Sequence, residues 1–244
     1  VTALQQRITA MEEGIASVVF ATGMAAISST MLSLLRAGDH VVSSAFLFGN
    51  TNSFFGTLQK LGIEVSFVDA TEVAEVEAAV TENTRLVFVE TIANPATQVA
   101  DLQKIGELCQ ARKLIYFVDN TMTSPHLFLP KTVGASLVIN SLTKYIGGHG
   151  NALGGSITDT GLFDWQGFDN ILDIYKNTEP ALWGVTQIKK KGLRDMGASL
   201  GPESAHHLAV GSETLPLRMD KACSNTQLLT EFCSQQDKIK NVYY

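Results

Sequence analysis

Short apolar runs separated by helix-length stretches are what most constrain the fold of this chain. Ser17–Ala21, His40–Ser43, Glu64–Val68, Leu86–Val89 and Leu114–Val118 are candidate strands, followed by Leu137–Ile139 and Gly155–Thr158. Several are continuous β-branched and aromatic runs, the pattern of strands covered on both faces. Helical patterns fall between them at Met24–Leu35, Asn52–Leu61, Thr71–Val80 and Asp101–Arg112. Gly38 and Gly62 follow two of these where a C-cap glycine belongs. The alternation predicts an α/β fold with a mainly parallel sheet. The character changes after Asp159: residues 163–200 lack strand alternation, and Asn177-Thr178-Glu179-Pro180 reads as a loop. A helical pattern then runs from Glu203 to Gln235, interrupted at Pro216, and Val242–Tyr244 reads as the start of a new strand. Residues 1–213 are therefore expected to form one large domain, with 214–244 a connecting helix and the beginning of a second.

At 244 residues the chain can bury a substantial core, and 45% hydrophobic with 17% charged residues fits a globular protein. A net charge of -6 argues against a nucleic-acid partner. Lys189-Lys190-Lys191 reads as a solvated helix face. The three cysteines form no CxxC, which suits reduced thiols in a cytosolic protein. Cys109 shares an apolar helix face with Leu102, Ile105 and Leu108, so packing is its expected role. No apolar stretch is long enough to span a bilayer. No signal peptide is visible, but the first residue is Val, so the chain reads as a fragment whose missing start could hide a targeting signal.

The residues that could carry chemistry fall where these strands end, and an open parallel sheet binds ligands beyond its carboxyl ends. Ser141-Leu142-Thr143-Lys144-Tyr145 lies just before Gly147-Gly148-His149-Gly150. Hydroxyls can hold a phosphate, and a desolvated amine can form a Schiff base with an aldehyde. Pyridoxal phosphate (PLP) carries both groups. Asp119 reads either as a turn cap or as the carboxylate that keeps a pyridinium nitrogen protonated; Lys144 at the end of a nearby strand favours the second. Thr22-Gly23-Met24-Ala25-Ala26 opens a helix, where glycine permits close approach and the exposed N–H groups bind phosphate. Phe48, in Leu47-Phe48-Gly49-Asn50-Thr51, can stack on a flat ring or simply pack. In Glu90-Thr91-Ile92-Ala93-Asn94-Pro95, Pro95 holds Asn94 extended, which either aims its amide at the crevice or makes a plain turn.

Rival motifs fail on the same residues. Ser141-Leu142-Thr143-Lys144 is literally S-x-x-K, but the S-D-N and K-T-G elements of serine β-lactamases are absent. Leu153 stands where a third dinucleotide-binding glycine would follow Gly148 and Gly150. His206 and His207 are adjacent and cannot share a helix face as a zinc pair would, so no metal is expected.

In order along the chain, Ala21–Ala26, Phe48–Thr51, Glu90–Pro95, Val118–Thr121, Ser141–Tyr145 and Thr214–Met219 resemble the Cys/Met-metabolism family of PLP-dependent enzymes. The resemblance runs nearly end to end. It implies the large domain of the aspartate-aminotransferase-like fold (PLP fold type I), with both ends of the family's usual extent lacking. It also implies a homotetramer of two intimate dimers with shared active sites. By position, Lys144 would form the internal aldimine and Asp119 would pair with the pyridine nitrogen. Gly23, Met24, Ser141 and Thr143 would hold the phosphate, Asn94 would sit near the ring's 3-oxygen, and Phe48 would stack on the ring. Two residues depart from the pattern: most members carry Tyr at Phe48, with a proton-transfer role, and proline at Ile92. The family's N-terminal arm gives a Tyr and an Arg to the neighbouring phosphate site, and its C-terminal domain gives the arginine for the substrate carboxylate. Without them, residues 1–244 alone are expected to be inactive or poorly active.

Within the family, Gly192–Leu200 and the stretch before it are most similar to O-acetylhomoserine sulfhydrylases. That similarity implies γ-replacement in methionine biosynthesis in the cytoplasm: O-acetyl-L-homoserine and a sulfide donor give L-homocysteine and acetate, with the freed Lys144 removing the Cα proton. The alternatives are O-succinylhomoserine sulfhydrylase and cystathionine γ-synthase, then methionine γ-lyase, whose members usually carry Cys where Asn50 stands. A catalytically silent structural homologue is the alternative of another class, made conceivable by Phe48.

Overall fold

The apolar runs do form strands, and they assemble into one seven-stranded mixed sheet. The structure, a computed structural model, describes residues 1–244. Its elements are α1 (Thr2–Met11), β1 (Ala16–Phe20), α2 (Gly23–Leu34), β2 (His40–Ser44), α3 (Gly49–Lys60), β3 (Glu64–Val68), α4 (Val73–Ala79), β4 (Thr84–Glu90), α5 (Leu102–Arg112), β5 (Ile115–Asp119), α6 (Ser124–Leu127), β6 (Leu137–Asn140), β7 (Gly155–Asp159), α7 (Trp183–Gln187), α8 (Pro202–Ser212) and α9 (Leu215–Ser234). The sheet order is β1-β7-β6-β5-β4-β2-β3; β7 runs antiparallel to both its neighbours and all other pairs are parallel.

Both faces of the sheet are covered, as the continuous apolar runs predict. Leu86, Phe88, Ile115, Phe117, Leu137 and Ile139 point to one side and pack with α2, α3 and the Trp165 region. Their sequence neighbours Val87, Val89, Tyr116, Val118 and Val138 point to the other, against Val76, Ile105 and Cys109 of α4 and α5. On the first face, Phe55, Phe88 and Phe117 meet edge to face at centroid distances of 5.4 and 5.2 Å, the geometry favoured by the ring quadrupole. Cys109 is a core thiol, as expected.

Several boundaries differ from the sequence reading. α1 was not expected; it buries Leu4 and Ile8 against Leu142, Leu208 and Met219. The long helical pattern is two helices that break at Glu213–Thr214, and Pro216 lies in the first turn of α9. There proline's missing N–H costs nothing, since that donor has no helical acceptor anyway. Val242–Tyr244 joins no strand of this sheet. Ile188–Arg194 continues α7 as a π-helix with Lys189, Lys190 and Lys191 exposed, and packs on α2, where a Cβ on Gly192 would lie 2.7 Å from the Ser29 carbonyl. No helix is long and apolar enough to cross a membrane.

Candidate active site

Parallel strands β2, β4, β5 and β6 all end on the same side of the sheet, so the loops that follow them converge. A cleft of about 540 Å³ opens there. Gly23, Met24, Phe48, Asn94, Asp119, Ser141 and Lys144 all line it. Of the residues singled out in the sequence, only Thr143 does not. Its hydroxyl is held by the backbone of Gly154, 3.2 Å from the carbonyl and 3.1 Å from the N–H.

The lysine lies on a turn four residues beyond the end of β6. Its backbone N–H bonds the Ser141 carbonyl at 3.1 Å, while its amine makes no hydrogen bond or ion pair. Asp119 is the last residue of β5, the strand beside β6. Burial raises its pKa, and the Thr121 side chain and N–H pull it down. Thr121 also links the two walls: its N–H donates to Asp119 Oδ1 at 2.9 Å, and its hydroxyl accepts the Ser141 N–H at 2.8 Å.

At the other end of the cleft, α2 begins at Gly23. Thr22 caps it by accepting the Ala25 N–H at 2.9 Å. The Gly23 and Met24 N–H groups, at the start of the helix, have no helical acceptor. A Cβ on Gly23 would stand 2.8 Å from Ser141 Cβ, so only glycine lets the helix start approach the serine this closely. The result is two backbone donors and a hydroxyl at the positive end of a helix, a ready anion site.

Glu90 was quoted in the sequence but given no role, and it organises the third wall. It is 8% exposed at the end of β4. Its Oε1 accepts the Phe48 N–H at 2.7 Å and its Oε2 the Asn94 N–H at 3.3 Å. One carboxyl thus ties together the ring expected to stack and the amide expected near it. Burial first and the charge of Asp119 second push its pKa up to about 7, against the two N–H bonds. Its position at a strand end beside Asn94-Pro95 is the one sequence signal that could have flagged it. Arg218 also reaches the cleft, from α9; it lies in the Thr214–Met219 stretch that resembles the family, but was given no role there.

These groups fit pyridoxal phosphate: an unpaired lysine amine for the aldehyde, a half-buried carboxyl for the ring nitrogen, and an anion cradle that a side chain on Gly23 would fill. Comparisons with known proteins agree. L-methionine γ-lyase from Fusobacterium nucleatum subsp. polymorphum is 39% identical over 247 residues, covering all of this chain and 57% of that protein. O-acetyl-L-homoserine sulfhydrylase from Leptospira meyeri is 34% identical over 260 residues, covering 99% of this chain and 59% of that protein. This chain thus spans little more than half the length of the curated relatives it matches. The structure of O-acetylhomoserine sulfhydrylase from Wolinella succinogenes superposes with a TM-score of 0.93 at 37% identity, over 100% of this chain and 69% of that one. A Campylobacter jejuni structure that carries N'-pyridoxyl-lysine-5'-monophosphate has a TM-score of 0.91 at 30% identity, over 99% of this chain and 63% of that one. The sequence pattern of the Cys/Met metabolism PLP-dependent enzymes matches residues 1–244, and the chain belongs to that family.

Proposed function

We propose that the protein replaces the γ-substituent of an acylated homoserine with sulfur, converting O-acetyl-L-homoserine and sulfide to L-homocysteine and acetate. The observation that carries this reading is the convergence of Lys144, Asp119 and the Gly23–Ser141 anion cradle in one cleft, joined to similarity with sulfhydrylases at 34% and 37% identity. Pyridoxal phosphate, when bound, supplies an electron sink for charge that develops next to the substrate amine. Gly23, Met24 and Ser141 would hold its phosphate; Thr143 could join them by turning its hydroxyl hydrogen away from the Gly154 carbonyl while still accepting the Gly154 N–H. Asp119 keeps the ring nitrogen protonated, and Thr121 orients that carboxylate. Phe48 and Asn94 line the same cleft, where Phe48 would stack on the ring and Asn94 would hydrogen-bond its edge. Lys144, whose amine has no other partner, would hold the cofactor's aldehyde, and as a free amine it would take the proton from the substrate Cα. Phe48 has no hydroxyl, so no proton moves through position 48.

Shared sites in a homotetramer and a cytoplasmic location belong to the same proposal, as does the role of 214–244 as a bridge to a second domain. A second reading, γ-elimination from L-methionine, has the 39% identity to a methionine γ-lyase in its favour; Asn50 weighs against it, since that group usually carries Cys there. The full-length protein should be assayed with O-acetyl- and O-succinyl-homoserine, each with and without sulfide, and with L-methionine. Homocysteine formed only from the acetyl ester plus sulfide is the expected result. Preference for the succinyl ester, or α-ketobutyrate from methionine without sulfide, overturns it. Lys144→Ala should abolish the visible absorbance of lysine-bound cofactor; if the spectrum does not change, the enzyme reading itself fails.

A further inference from the structure

Arg218 makes four hydrogen bonds and no ion pair. Nε donates to Thr214 Oγ1 at 3.0 Å, Nη1 to the Tyr145 carbonyl at 2.6 Å, and Nη2 to the carbonyls of Gly211 at 2.9 Å and Ile146 at 3.3 Å. Tyr145 and Ile146 are the two residues that follow Lys144. The rest of that turn is also closed. Gly147 N–H bonds the Leu142 carbonyl at 2.8 Å, Gly148 N–H bonds the Lys144 carbonyl at 2.7 Å, and His149 Nδ1 lies 2.7 Å from the Gly147 carbonyl. Gly148 adopts φ +71°, and a Cβ there would fall 2.2 Å from Arg218 Nη1. The turn is therefore shaped so that the guanidinium can lie across it.

A half-buried cation without a counter-ion is normally unfavourable. Its geometry explains why one is used here. A planar fork can hold two successive carbonyls at once while its Nε is anchored elsewhere, which a lysine ammonium on a flexible stem cannot do. The anchors, Thr214 and Gly211, belong to the corner between α8 and α9. The lysine turn is thus fixed to the helices that pack beside it as well as to its own strand.

We propose that Arg218 is a positioning residue for Lys144, clamping from α9 the two carbonyls after the lysine and so fixing the direction in which its amine enters the cleft. This rests on the reading of Lys144 as the cofactor-bearing residue. The test compares full-length wild-type protein with R218K and R218M, by amide hydrogen exchange without cofactor and by titration with pyridoxal phosphate followed by visible absorbance. Both variants should melt cooperatively. Exchange at Gly147 and Gly148 should speed up by about tenfold or more, as expected for losing two hydrogen bonds to a charged donor, while the β6 amides stay as they are. Cofactor affinity should fall by a similar factor, and R218K should not restore it, because it keeps the charge but not the fork. Should either variant fail to fold, T214V, which removes the exposed anchor of Nε together with that hydroxyl's 3.3 Å bond to the Gly211 carbonyl and leaves both Nη groups in place, is expected to give a smaller shift in the same direction, about threefold. Unchanged exchange at Gly147 and Gly148 with unchanged affinity overturns the clamp, whatever the enzyme does. Absence of a visible band in wild-type protein would instead overturn the role given to Lys144, and the exchange result would still decide whether Arg218 fixes the turn.

Discussion

Glu90 and Asp119 are register partners at the carboxyl ends of the parallel strands β4 and β5. Adjacent strands lie about 4.8 Å apart, so two carboxyls share one partly dry strip of the cleft floor. Each is disfavoured as an anion by burial, and Glu90 also by the charge of its neighbour. We expect carboxyl ¹³C NMR to show Glu90 titrating near 7. Asp119→Asn should lower that midpoint toward 4.5, because it removes the neighbouring charge. Glu12, whose pKa is also about 7 but for reasons of burial, should not move. If the Glu90 midpoint does not change in D119N, the coupling between the two is absent.

Glu12 supplies a stability prediction. It is fully buried; its Oε1 accepts the Asn120 amide at 3.0 Å and the Asn140 amide at 2.6 Å, while Oε2 has no partner. Its pKa is raised from 4.5 to about 7. For an acid raised on folding, the stability present below pH 4.5 is lost as the pH climbs through about 7. The loss is at most ~3 kcal/mol. Glu12→Gln keeps the Oε1 acceptor and cannot ionise. Its melting temperature should therefore gain on wild type steadily between pH 5 and 8, with calorimetry as the check. The difference matters, since Asp159 and Glu90 titrate in the same direction in both proteins. Parallel curves would mean that folding does not raise the pKa of Glu12.

The strands and the Lys144 turn were legible because their signals are local: a buried strand is a run of apolar residues, and a turn is a few adjacent side chains. What escaped depends on residues far apart in the chain. Glu12 owes its burial to Asn120 and Asn140, 108 and 128 positions away. Arg218 meets Tyr145 across 73 positions. α1 buries only Leu4 and Ile8, too few apolar positions for a clear helical period. Thr143 looked equivalent to Ser141, but the return of β7 places the Gly154 backbone against its hydroxyl, and nothing near position 143 announces that.

Phe48 is the residue where the family's usual tyrosine is missing. It is 42% exposed at the rim of the cleft, and its backbone is fixed by Glu90 independently of its side chain. Phe48→Tyr should accordingly fold with stability within about 0.5 kcal/mol of wild type and bind pyridoxal phosphate equally well. Phe48→Ala should bind the cofactor roughly two- to tenfold more weakly, the loss of about 0.5–1.5 kcal/mol of aromatic stacking. Fluorescence titration of cofactor binding checks both. Equal affinity in F48A would remove Phe48 from the cofactor site.

Two helical glycines should respond to alanine with opposite signs. Gly56 lies inside α3, and a Cβ there would have nothing within 4 Å. Alanine removes the conformational freedom of glycine in the unfolded chain, so Gly56→Ala should stabilise by about 0.5–1 kcal/mol. Gly106 lies inside α5, where a Cβ would fall 1.8 Å from the Val133 carbonyl oxygen and 2.9 Å from its carbon. Both obstacles are backbone, belonging to the 3-10 turn Pro130–Val133 that leads towards β6. They cannot swing aside as a flexible side chain would, so α5 and that turn must separate. The helix gain is the same at both sites, but overpacking at Gly106 costs about 1–3 kcal/mol or more. Gly106→Ala should therefore be destabilising overall, and the strain should reach the Lys144 turn through β6. Urea denaturation of the two variants measures the signs. Stabilisation by both would show that α5 does not press on the Pro130–Val133 turn as described.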